Sequence, residues 1–350
     1  PMLSKLGSSA WEKLKERTKE EIFQMASELI ELYAQRKSLP GFKYSADSAP
    51  MRELEASFPF QETPDQQRTV DDVKKDMEQP NPMDRLVCGD VGYGKTEVAV
   101  RAAFKAVCDN KQVAVLVPTT ILAQQHYQTF SERMEPFPVR VEVMSRFGTA
   151  KDLKRVAEDV KAGKVDILIG THRILSKDVT FRDLGLLVVD EEQRFGVKHK
   201  ERLKQIKRQI DVVTLTATPI PRTMHMSLMG ARDMSVINTP PQDRLPIHTE
   251  ILTFDEGRIM EAIQREISRG GQVYFVHNRI KSIHSLSTYL QELLPGARFA
   301  VAHGQMPARQ LEGIMFDFLE RKYDCLISTM IIESGIDIPS VNTILVNRAD

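Results

Sequence analysis

Apolar positions recur along this chain with two different periods. Between residues 8 and 37, Trp11, Leu14, Ile22, Met25, Leu29, Leu32 and Tyr33 return at three- or four-residue intervals and draw one stripe along a helix. Ser9 and Glu12 give that helix a capping-box start, and Pro40-Gly41 stops it. The stripe suits packing on its own domain or bridging to a neighbour, and the pattern leaves both open. Residues 41–57 show no sustained period. They read as a linker, with 1–40 expected as a linker helix before it.

From residue 85 the pattern changes to short β-branched runs separated by helical stretches. Leu86–Cys88, Val113–Val117, Val165–Ile169, Leu186–Val189 and Val212–Leu215 read as strands, with helices at Glu97–Asn110 and Ile121–Met134. Pro240-Pro241 breaks the series. Strands at Val273–His277, Phe299–Ala302, Cys325–Ser328 and Thr343–Val346 then alternate with helices at Asp255–Ser268, Ser282–Leu294 and Ala308–Arg321. Strand–helix–strand at this spacing predicts α/β domains with parallel sheets covered on both faces. The expected domains are 58–241 and 242–350.

Composition narrows the class. At 350 residues, 41% hydrophobic and 27% charged, the chain has apolar material for more than one core. No run approaches the roughly 18 apolar residues of a membrane helix, and Pro1–Lys5 opens no secretory signal. Cys88, Cys108 and Cys325 are too scattered for a metal knuckle and read as reduced thiols. A cytoplasmic protein with no membrane partner is expected. The 48 basic residues are balanced by 48 acidic ones, so the strongly basic footprint of a tight passive nucleic-acid binder is absent. A motor that releases its track every cycle tolerates that balance.

Two motifs carry chemistry. Gly89-Asp90-Val91-Gly92-Tyr93-Gly94-Lys95-Thr96 fits G-x-x-x-x-G-K-T between a strand and a helix. Its glycines let backbone N–H groups curl round a phosphate chain at a helix N-terminus. Lys95 then reaches the β- and γ-phosphates of a nucleotide, and the Thr96 hydroxyl ligates Mg²⁺. Leu186–Val189 leads into Asp190-Glu191-Glu192-Gln193, which in a parallel sheet brings carboxylates to the same edge. Asp190 suits Mg²⁺, and Glu191 suits activation of water. Alone, such a cluster also fits a solvated strand end.

Together with Thr216-Ala217-Thr218-Pro219, these motifs resemble motifs I, II and III of the superfamily 2 helicases and translocases. The wording GDVGYGKTEVA, VPTTILAQQHY, DEEQRFGVKHKERLK and TATPIPRTM resembles the motor of the transcription-repair coupling factor family, with the RecG helicases in the same subgroup. The resemblance implies two tandem RecA-like domains, the second incomplete, behind a long helix. It implies ATP and Mg²⁺ as ligands. It marks Phe60, Thr63 and Gln66 as an adenine-reading segment, and Gly335 and Asp337 of motif V as further nucleotide contacts. Gln193, Thr216 and Thr218 would couple nucleotide state to movement.

The same resemblance implies a double-stranded DNA track held by backbone contacts, independent of base sequence. Thr119 and Thr120 (motif Ia), Thr171 and His172 (motif Ib), Arg146, Arg173, Asn278, Arg279, Thr329 and Ser334 are the candidates. RNA polymerase and nucleotide-excision-repair proteins are the implied partners, through domains outside this chain. The family's arginine-bearing motif VI is not reached by Asn347-Arg348-Ala349-Asp350. Because an arginine finger is worth ~10³ to 10⁵ in turnover, weak hydrolysis is expected of this stretch alone. A fork-remodelling helicase and a nucleotide-gated binding module are the rival readings.

Overall fold

The computed structural model describes residue 16 and residues 39–145, 148–196, 203, 206–207, 209–217, 233–242, 247–330 and 336–347. The helix expected over 8–37 therefore lies outside the described residues, apart from Glu16. Contacts divide the chain into two compact units: 1–118 with 129–242, and 119–128 with 243–350.

The first unit is built on seven strands: β1 (Asp84–Gly89), β2 (Gln112–Leu116), β3 (Val141–Met144), β4 (Ile167–Gly170), β5 (Leu184–Asp190), β6 (Asp211–Thr216) and β7 (Asp233–Ile237). Their order is β3-β4-β2-β5-β6-β1-β7, and every pair is parallel. Helices α1 (Ala49–Ala56), α2 (Pro64–Met77), α3 (Lys95–Cys108) and α5 (Ala150–Lys161) intervene, while α4 (Thr120–Met134) follows β2 and is grouped with the second unit as far as Gln128. The central strands are buried on both faces: all five residues of β2 and all six of β6 are withdrawn from solvent. One face contributes Leu116, Leu168, Leu187, Val189 and Val212 to a single apolar cluster. Such a sheet needs helices on both sides.

Residues 41–57 are not a free linker. Ala49–Ala56 forms α1, which packs against α3 with Met51 and Leu54 buried, and Tyr44 is only 1% exposed. Two apolar positions three apart are too few to register as a period, which is why the pattern missed the helix. Polar ties complete the anchorage. Lys105 Nζ donates to Ser45 O, Asp47 Oδ1 and Glu78 Oε1, each at 2.8 Å. Lys74 Nζ reaches Asp47 and Glu55, each at 2.6 Å.

The second unit carries four parallel strands, β8 (Gln272–His277), β9 (Phe299–Ala302), β10 (Cys325–Ser328) and β11 (Val341–Asn347), in the order β11-β8-β10-β9. Helices α6 (Glu256–Ser268), α7 (Ile280–Leu293) and α8 (Ala308–Leu319) accompany them. Ile263, Phe275, Ile283, Leu290 and Ile327 fill one face of this sheet. Tyr274, Ala302, Met315, Phe318 and Leu326 fill the other.

Candidate functional site

Parallel pairing puts the C-terminal ends of all seven first-unit strands on one edge. The register aligns Cys88 with Thr216, Leu215 with Asp190, and Gly89 with Ile237. The phosphate loop and the Asp190-Glu191 pair therefore meet side by side, from β1 and β5 flanking β6.

The loop leaves β1 at Gly89 and turns through Gly92 (φ +80°) and Gly94 (φ +79°), conformations that a side chain resists. Gly94 is the N-cap of α3, so the first N–H groups of that helix face the loop. Lys95 folds back over it, donating from Nζ to Gly89 O at 2.7 Å and Asp90 O at 2.8 Å. Burial lowers its pKa from the usual lysine value, opposed by the nearby charges of Asp190 and Glu191.

Gln66 is tied at both ends of its amide. Its Oε1 accepts from Thr63 N at 2.8 Å, Thr63 Oγ1 accepts in return from Gln66 N, and its Nε2 donates to Tyr93 O at 3.0 Å. The capping box that starts α2 thus also braces the phosphate loop. Asp65, in the first turn, accepts from Thr239 Oγ1 and the backbone N–H groups of Asn238 and Thr239 just past β7. Those bonds hold its carboxyl below the ordinary range. Phe60 stands 65% exposed beside Phe58.

Glu191 is 5% exposed and takes a left-handed backbone, φ +49° and ψ +53°. For a residue with a side chain that costs roughly 1–2 kcal/mol, and such outliers gather at working sites. Its Oε1 accepts from Ala217 N at 2.6 Å, and its other oxygen meets Gln193 Nε2. The neighbouring Glu192 points elsewhere, pairing with Lys207 at 2.6 Å. Gln193 and the Thr216-Ala217 strand end are thereby joined physically to the carboxylate. Ala217 falls inside the Thr216–Pro219 motif, but this contribution comes from its backbone N–H and not from the residue type.

The DEAD/DEAH box helicase family matches residues 63–227, and the helicase conserved C-terminal domain matches residues 258–350. The chain belongs to the superfamily 2 helicases. Transcription-repair-coupling factors of Staphylococcus epidermidis and Staphylococcus aureus are 54% and 55% identical to it over 350 residues, 100% of this chain but 30% of theirs. A structure of RecG bound to a three-way DNA junction matches with a TM-score of 0.78 at 32% identity, covering 95% of this chain and 45% of that one.

On this superfamily 2 frame the expected track residues fall into two sets. Thr119 and Thr120 come next in the chain after β2, in the stretch grouped with the second unit, while Thr171, His172 and Arg173 follow β4, on the half of the first unit's edge away from the phosphate loop. Thr120 and Thr171 are 2% and 4% exposed, so their side chains are withdrawn and the backbone is what they can offer a phosphate. Arg173 already pairs with Asp178, which raises its pKa further. In the second unit, Asn278 and Arg279 follow β8 and Thr329 follows the adjacent β10, with Asn278 Oδ1 accepting from Met330 N at 3.2 Å. Asp337 is exposed ahead of β11. Arg146, Thr218, Ser334 and Gly335 lie outside the described residues.

Among the described residues, no helix is long and apolar enough to cross a membrane.

Proposed function

We propose that this chain is an ATP-driven motor that moves along double-stranded DNA. The observation that carries the reading is Lys95. A half-buried ammonium folded onto two loop carbonyls, beside two carboxylates, is a cation held where a triphosphate would thread. The fit of the loop supports it further: nothing lies within 4 Å of a Cβ built on Gly92, so open space adjoins the left-handed backbone.

In this reading the loop N–H groups and Lys95 bind the β- and γ-phosphates, and Phe60, Thr63 and Gln66 serve the base. Thr96 and Asp190 would hold Mg²⁺, which when bound neutralises charge on the phosphate oxygens. Glu191, fixed by Ala217 and Gln193, orients the attacking water and takes its proton. Gln193, bonded to that carboxylate, and Thr216, next to the Ala217 N–H that also bonds it, report nucleotide state in this reading. Thr119, Thr120, Thr171, His172, Arg173, Asn278, Arg279 and Thr329 serve the DNA backbone, with Arg146 and Ser334 on the same track.

The likeness to proteins named transcription-repair-coupling factors supports a further step, in which the whole protein displaces stalled RNA polymerase and works with nucleotide-excision-repair proteins through its other domains. The match to RecG on a three-way junction favours a second reading, remodelling of branched DNA. Phosphate release by the full-length protein, with and without duplex DNA, tests the motor. Strand separation on branched substrates separates the two readings. A rate that duplex DNA leaves unchanged would overturn the first.

A further inference from the structure

Residues 58–63 are pinned at both ends. At one end Phe58 meets two guanidiniums, with Arg101 Cζ 5.4 Å and Arg133 Cζ 5.5 Å from its ring centroid. At the other, Glu62 pairs with Arg101 and Thr63 caps α2. Phe60 stands in between, its ring set edge-on to Phe58 with centroids 5.5 Å apart.

Arg133 belongs to the last turn of α4, the helix that opens with Thr120, and takes no part in the phosphate loop. All three of its guanidinium nitrogens nonetheless donate hydrogen bonds. Nη1 donates to Ser57 Oγ at 2.8 Å, Nη2 to Leu54 O at 2.9 Å and Glu97 Oε1 at 2.8 Å, and Nε to Glu97 Oε2 at 3.2 Å. Glu97 lies two residues after Lys95 and also accepts from Arg101 Nε at 3.0 Å. A planar cation locked along its edge by a carboxylate and a carbonyl presents a fixed face to an aromatic ring, which a lysine cannot do as well.

We propose that Arg133 is a positioning residue for the purine base of the nucleotide. It fixes Phe58, Phe58 fixes the ring of Phe60, and Phe60 offers the exposed aromatic face on which the base stacks. This rests on the nucleotide reading above and concerns the base alone, because the phosphates meet the loop of residues 89–96.

The test separates base from phosphates in the full-length protein. Arg133→Gln is expected to raise KM for ATP about tenfold with a smaller change in kcat, since the lost contact acts on binding. Competitive inhibition by inorganic tripolyphosphate, which has no base, is expected to stay within about twofold of the parent because its contacts are untouched. Arg133→Lys keeps a cation near the ring and should recover part of the loss. Phe58→Leu removes the ring while keeping apolar volume and should give the same split, so the test does not hang on one variant folding. An unchanged KM for ATP, or an equal loss for ATP and tripolyphosphate, overturns the proposal. If tripolyphosphate fails to compete with ATP in the parent protein, the phosphate-loop reading itself falls and takes this one with it.

Discussion

The Glu191 carboxylate accepts a 2.6 Å hydrogen bond from the backbone N–H of Ala217, at the end of the strand beside its own. A carboxylate fixed in this way has little freedom to turn from its target. It is also bound to the strand end at Thr216-Ala217, the segment proposed above to report nucleotide state.

Glu191→Gln should separate binding from hydrolysis. The amide oxygen still accepts from Ala217, and Gln193 keeps its contact by turning its own amide to accept from the new NH2, but the group no longer takes a proton from water. ATP affinity should persist while single-turnover hydrolysis falls by ~10² or more. Hydrolysis at the parent rate would remove Glu191 from the mechanism.

Lys95 gives a pH signature. Burial lowers its pKa in the free protein, and a bound triphosphate pulls it back up. Near the free protein's value, binding ATP therefore takes up a proton, so affinity falls as pH rises through that value. Calorimetry in buffers of different ionisation enthalpy measures the uptake directly. Lys95→Ala should abolish both the uptake and most of the affinity.

Gly92 and Gly94 share a left-handed backbone but not their surroundings. A Cβ on Gly94 would sit 2.5 Å from Gln66 Nε2, whereas one on Gly92 meets nothing within 4 Å. Both alanine variants carry roughly 1–2 kcal/mol of backbone strain. Gly94→Ala also breaks the Gln66–Tyr93 bond, worth a further ~1 kcal/mol. Thermal unfolding should rank Gly94→Ala below Gly92→Ala, and equal midpoints would refute the Gln66 brace.

The central strands were legible because burial on both faces leaves a continuous apolar run, as in β2, β5 and β6. The edge strands β3 (Val141-Glu142-Val143-Met144) and β7 (Asp233-Met234-Ser235-Val236-Ile237) were missed. An edge strand carries less apolar load, and four or five residues hold too little alternation to register. The site divides similarly. Side chains with an obvious charge or shape, such as Lys95, Asp190 and Glu191, announced themselves. The Ala217 N–H, the left-handed backbone of Glu191 and the second bond of Gln66 depend on distant segments meeting, which no local pattern encodes.

The clearest stability prediction concerns Lys105, on the phosphate-loop helix and 3% exposed. Its three 2.8 Å contacts reach Ser45, Asp47 and Glu78, so it joins the segment before α1 to the end of α2. Breaking a fully buried ion pair costs about 3–5 kcal/mol. Asp47 and Glu78 keep 28% and 35% of their side chains exposed, so water recovers part of that loss on their side. Lys105→Ala should therefore destabilise by about 2–3 kcal/mol, less than the fully buried case. Its pH dependence has a definite sign. Burial pushes the Asp47 carboxyl upward, but hydrogen bonds from Lys105 and Lys74 outweigh it and leave the pKa below the usual carboxylate value. A depressed carboxylate contributes stability above its unfolded pKa and loses it as pH falls through the folded value. The parent should weaken in urea across that acid window, and Lys105→Ala should weaken less steeply because part of the depression is gone. Parallel pH profiles for the two proteins, followed by circular dichroism, would show that Lys105 does not hold Asp47 in its charged form.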